Sequence, residues 1–163
     1  MDLIIDASSI INLENAGALE IVARLENRNL CLSPLVIGEC QPTCAAKLAE
    51  LEQQHAVWFV DPEKVSAEVF LELLEDHELG EGETECLALA LGHQFVFCCD
   101  DQKARQIGIG LIGADRVVGS LRLLKWCVED GHLSVGEAFA LYERMKAAGG
   151  FLPDLDQSWF END

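Results

Sequence analysis

Basic residues are scarce in this chain: 11 lysines and arginines stand against 29 acids, a formal net charge of −18. Surfaces that coat a phosphate backbone are basic, because neutralising phosphates supplies much of the affinity. A protein that wraps nucleic acid with its whole surface is therefore excluded. Long apolar runs are missing too, so no helix able to span a bilayer is expected. No basic region precedes the first apolar run, and no signal peptide is expected. There is no Cys-x-x-Cys pair among the cysteines, Cys31, Cys40, Cys44, Cys86, Cys98, Cys99 and Cys127. Their odd number and apolar settings argue against a disulfide framework and for reduced thiols buried in a cytoplasmic protein. Neither Cys40 with Cys44 nor Cys98 with Cys99 has the spacing of a zinc site. The phosphate-cradling Gly-x-x-x-x-Gly-Lys-[Ser/Thr] loop and the Gly-x-Gly-x-x-Gly turn are absent. The histidines His55, His77, His93 and His132 show no metal spacing.

What remains is ordinary globular composition, with 50% apolar and 25% charged residues over 163 positions, consistent with one domain. No linker or repeat divides it. A single domain is expected over 1–150, followed by an acidic tail over 151–163 that carries Leu155, Trp159 and Phe160. Charge is uneven along the chain. From Asp61 to Asp101 twelve acids face one lysine, whereas Lys103, Arg105, Arg116, Arg122 and Lys125 face only Asp115. A local basic strip can thus sit on an acidic body.

Strand-like apolar runs occur at Leu3–Ile5, Leu30–Leu32, Val57–Val60 and Phe95–Cys99, with a weaker one at Gly110–Ile112. Helical patterns separate them: Ile10–Glu26 with a break near Gly17, Leu35–Gln54, Glu63–His77, Glu83–Gly92 and Gln102–Gly108. This alternation predicts an α/β fold of three α/β/α layers around a central, mostly parallel sheet of four to five strands. Beyond Ala114 the pattern predicts a C-terminal helical hairpin, Val117–Val128 and Val135–Ala148, capped by Ser134.

Carboxylates recur at the ends of these elements. The run Leu3–Ile5 ends in Asp6, and Phe95–Cys99 ends in Asp100 and Asp101. Glu39 follows a helix start led by Pro34, and Glu81, Glu83 and Glu85 open a helix that is apolar all round. Helix caps and the helix dipole account for any one of these acids; they do not account for the set. Open parallel sheets bind ligands at the carboxyl edge. Four ionised carboxylates about 5 Å apart repel by about 3 kcal/mol per pair at an effective dielectric near 20, so such a cluster needs a counter-ion. Oxygen donors suit Mg2+ or Mn2+, and those ions support in-line phosphodiester displacement. A haloacid-dehalogenase-like phosphatase would need a second aspartate after Asp6, and a receiver domain would need its acidic pair after the first strand.

The stretches IIDASSIINL, LSPLVIGEC, LGEGETECLALALG and FCCDDQKARQIG, in that order, resemble a PIN-domain protein of the compact prokaryotic sort that includes toxin ribonucleases. The later GADRVVGSLRLLKWCVEDGHLS resembles the C-terminal part of one branch of PIN-like proteins. The resemblance extends to about Gly150. It implies a Mg2+- or Mn2+-dependent endoribonuclease with catalytic acids Asp6, Glu39, Glu83 and Asp101. It implies Asp6, Glu83, Asp101 and Asp100 as metal ligands, with Ser8 in support. Glu83 is the better match than Glu85, and the register between Asp100 and Asp101 stays open. Lys103, Arg105 and Arg116 follow the fourth strand and are expected to approach substrate phosphates, although Arg105 equally suits neutralising Asp100 or Asp101. The expected partners are RNA, a second copy of the chain and, for a toxin, a small antitoxin protein. A non-catalytic PIN-like module acting through dimerisation or protein binding is the alternative, favoured by the acidic surface.

Overall fold

The computed structural model describes residues 1–161. Strand β1 (Asp2–Ile5) leads into helices α1 (Ala7–Ala16) and α2 (Leu19–Val22), then β2 (Asn29–Leu32), α3 (Pro34–Glu39) and α4 (Pro42–Gln53). Next come β3 (Val57–Phe59), α5 (Ala67–His77), α6 (Glu81–His93), β4 (Val96–Cys98) and α7 (Gln102–Ile112). The chain closes with β5 (Val117–Val118), α8 (Ser120–Glu129), α9 (Val135–Ala147) and a 3-10 turn at Gln157–Phe160.

The five strands form one parallel sheet in the order β3-β2-β1-β4-β5. Leu3, Ile4 and Ile5 are fully buried, as expected of a strand covered on both faces. Chain order reverses on the two sides of β1, so its boundary with β4 is a topological switch point, the place where open α/β sheets bind ligands. The register Ile5↔Cys98 brings the carboxyl ends of these two strands level. Residue 6 and residues 99–101 therefore emerge side by side.

Four expectations are corrected. Gly110–Ile112 is the last turn of α7, ended by Gly113 at φ 89°. The fifth strand is instead Val117–Val118, expected to begin a helix; it pairs with Phe97 and Cys98. The predicted helix Leu35–Gln54 is two helices, because Pro42 forces the preceding Gln41 out of helical geometry, to ψ 147°. The predicted Glu63–His77 likewise resolves into a 3-10 turn at Pro62–Lys64 and α5, whose Ser66 side chain caps Val69 N.

The tail packs on its own chain as far as residue 161; residues 162 and 163 of the predicted 151–163 tail lie outside the described residues. Phe160 is fully buried beside Tyr142 and Phe139. The Tyr142 hydroxyl donates to Pro153 O (2.8 Å) and accepts from Leu155 N (2.9 Å). Among the described residues no helix is long and apolar enough to cross a membrane.

Candidate active site

Asp6 is the N-cap of α1 and is only 2% exposed. Its Oδ2 accepts three hydrogen bonds, from Ser8 N (3.0 Å), Ser8 Oγ (2.5 Å) and the Cys99 thiol (3.3 Å). Ser8 Oγ also accepts from Asp100 N (3.1 Å), tying the ends of β1 and β4 together. No lysine or arginine forms an ion pair with Asp6 among the described residues. A buried carboxylate without a cation is costly unless its charge is compensated.

Ligand atoms of Asp6, Glu83 and Cys99 all lie within 4.8 Å of one another. Glu83 sits in the first turn of α6, where its Oε2 accepts from Gly80 N (3.0 Å). Burial, followed by the negative charges of Asp6, Asp101 and Glu39, pushes the Glu83 carboxyl above its ordinary range against that hydrogen bond. Glu39 ends α3, and its Oε1 accepts from Gly82 N (3.0 Å). Burial again, then Asp6, Glu81 and Glu85, pushes the Glu39 carboxyl up. A Cβ at Gly82 would lie 2.7 Å from both Glu39 oxygens, so only glycine lets this carboxylate approach the helix. Asp101 is the exposed N-cap of α7, accepting from Ala104 N (2.8 Å). Asp6, Glu39, Glu83 and Asp101 thus share one electrostatic neighbourhood at the carboxyl edge of the sheet.

Their neighbours face elsewhere. Asp100 accepts from Asn12 Nδ2 (2.7 Å), Ser120 N (2.8 Å) and Ser120 Oγ (2.6 Å), so both of its oxygens are occupied and it caps α8. Glu85, 6% exposed, accepts from Leu35 N (2.9 Å) at the start of α3. These two acids have structural employment; Asp101 and Glu83 keep the freer carboxylates.

The expected phosphate contacts separate. Lys103, in the first turn of α7, donates to Glu78 O (2.9 Å) at the carboxyl edge. Arg105 donates to Cys99 O (3.0 Å). Its guanidinium and the Asp100 carboxylate crowd Gly119, where a Cβ would come within 2.9 Å and 2.7 Å of them. Arg116 is at the opposite edge of the sheet, just before β5, donating to Ala90 O and to Phe95 O (2.8 Å). There it staples the end of α6 to the start of β4, which corrects the expectation that it faces substrate near the acids.

The donor set suits a divalent cation, since a buried carboxylate lacking a cationic partner faces a second carboxylate at ligand distance. Cys99 is the member that sequence reasoning missed. The sequence marks Cys98 and Cys99 as buried reduced thiols without zinc spacing, and the signal for Cys99 is its place beside the strand-ending acids. Burial first, and then the charge of Asp6, pushes the Cys99 thiol far up, so it remains a protonated donor to Asp6 unless a thiophilic ion displaces its proton.

A family model described as a PIN domain matches residues 2–155. No curated protein and no solved structure matches the chain.

Proposed function

The chain belongs to the PIN-domain family, and from that premise we propose that it is a metal-dependent endoribonuclease hydrolysing phosphodiester bonds at Asp6, Glu39, Glu83 and Asp101. The observation that carries this reading is the buried, cation-free Asp6 carboxylate within ligand distance of Glu83 at the switch point of the sheet. Asp6, Glu83 and Asp101 would hold a Mg2+ or Mn2+ ion, Asp101 rather than Asp100, both of whose oxygens already accept hydrogen bonds. When bound, that ion supplies Lewis-acid charge for the phosphodiester transition state.

The chain's own groups do the rest. Ser8 and Cys99 fix the Asp6 carboxylate through its Oδ2. Glu39, its carboxylate held by Gly82 N beside the cluster and its basicity raised by burial, takes the proton of the attacking water. Lys103 and Arg105 stand at the same edge to meet phosphate oxygens. The seven free thiols, all buried, suit a reducing cytoplasm. The edge strand β3 exposes Trp58 and Phe59, the surface on which a homodimer or a small antitoxin protein would dock.

A second reading, a non-catalytic module, is favoured by the net charge of −18. Incubating the purified chain with single-stranded RNA and Mn2+ separates the two. Cleavage abolished by Asp6→Asn supports the nuclease; absence of both cleavage and calorimetric metal binding supports the module.

A further inference from the structure

A cleft of about 480 Å3 opens on the far side of Asp100 from the acid cluster, within the size range of small-ligand sites. One wall is the segment from Val117 to Gly119 with α8; the other is the docked tail from Phe151 to Trp159. Arg105, Arg122, Trp126 and Trp159 line it. Paired guanidinium and indole groups are what single-stranded nucleic acid uses, phosphate on the cation and base on the ring.

One cation of this cleft is unspent, while Arg105 also donates to Cys99 O (3.0 Å). Arg122 is exposed, and its guanidinium has no hydrogen-bond or ion-pair partner among the described residues. Two acids line the cleft with them: Asp100, which accepts from Asn12 and Ser120, and Asp115, which is exposed. Both indoles are held rigid. Arg28, paired with Asp130 at 2.9 Å, lies 4.6 Å from the Trp126 ring centroid. Trp159 packs edge-on against buried Phe160, with centroids 4.9 Å apart. Lys125 Nζ lies 5.6 Å from the Trp159 centroid, so each ring carries a cation near one face and each residue stays half-buried. A second recess continues past Asp101, Lys103 and Gln106, and shares Asp100 and Phe151 with the first. Phe151, 90% exposed, stands between the two.

We propose that this cleft is a nucleotide-binding subsite for single-stranded RNA, taking an unpaired base against Trp126 and Trp159 and its phosphate on Arg122 and Arg105. The strand then runs past Phe151 toward Asp101. Its role in positioning substrate rests on the nuclease reading; its capacity to bind a nucleotide does not.

The test is equilibrium binding to the full chain in EDTA, so that no metal takes part. The probes are uridine and adenosine 5′-monophosphates and a six-nucleotide single-stranded RNA, read by tryptophan fluorescence in a Trp58→Phe background. Quenching by all three is expected, with Arg122→Glu weakening the oligonucleotide at least about tenfold, as loss of a charged contact does, and lowering its salt dependence. An abasic oligomer of equal length should bind more weakly than the RNA. No quenching, equal binding by Arg122→Glu, or equal binding of the abasic oligomer overturns the proposal. RNA cleavage without nucleotide binding sinks the subsite and spares the nuclease; nucleotide binding without cleavage does the reverse.

Discussion

Replacing Asp6 by Asn should stabilise the metal-free protein while destroying its response to metal. Asp6 and Glu83 place oxygens within 4.8 Å of each other. At that distance and an effective dielectric near 20, the repulsion is about 3 kcal/mol. Glu83 is only half-buried, so solvent screening reduces this by about half. Asn keeps one oxygen, and the three hydrogen bonds to Asp6 converge on Oδ2 alone, so the helix cap survives. Weakening the charge-assisted Ser8 bond costs about 0.5 kcal/mol of the gain. The net is about 1 kcal/mol in favour of Asp6→Asn, or a rise of about 2–4 °C in Tm for a chain of this size. Thermal unfolding in EDTA at low ionic strength measures it. Adding Mn2+ should then raise the wild-type Tm and leave that of Asp6→Asn unmoved. The pH dependence follows from the same charges. Glu39 and Glu83 are held above their ordinary 4.5, so the folded state binds more protons than the unfolded state. Their contribution to stability is full below pH 4.5 and is lost as pH rises through the raised values. Asp6→Asn should flatten that loss. A lower Tm for Asp6→Asn in EDTA, or an undiminished Mn2+ shift, would refute the claim that uncompensated charge defines this site.

Gly82→Ala should slow Mn2+-dependent RNA cleavage by at least about tenfold, with calorimetric Mn2+ affinity unchanged, because its Cβ would come within 2.7 Å of both Glu39 oxygens and drive the base away. Cys99→Ser should abolish the near-ultraviolet thiolate absorption on Cd2+ addition and leave Mn2+ binding within a few-fold, since thiolate selects soft metals and Sγ lies in the cluster. Equal Cd2+ spectra for both proteins would remove Cys99 from the centre. Arg116→Ala should destabilise the fold by about 1–3 kcal/mol through two orphaned carbonyls, with calorimetric Mn2+ affinity unchanged. Tyr142→Phe should loosen the tail by leaving Pro153 O and Leu155 N without their partner, seen as faster proteolysis after Phe151 at a cost of about 1–3 kcal/mol.

Much of this architecture is legible in the sequence. The four longer strands announce themselves as apolar runs, and the acids that end two of them sit at the sheet edge where ligands bind. Pro34 at the start of α3 was readable, and so in principle was the break at Pro42, which a continuous apolar pattern over Leu35–Gln54 disguised. The strand Val117–Val118 was not readable, because two residues carry no periodicity and the pattern beyond them is helical.

The sequence by itself determined that acids would gather where β1 and β4 end, since local patterning sets each element and parallel pairing aligns their ends. Which acids face the shared site was decided only in three dimensions. Asp100 and Asp101 are neighbours in the chain, and Asp100 is drawn away by Asn12, 88 residues distant, and Ser120. Glu85 is claimed in the same way by Leu35 N, 50 residues off. Hydrogen-bond partners so remote leave no mark on local spacing, and the same holds for Cys99 beside Asp6 and for the arginines and tryptophans that the docked tail brings to one cleft.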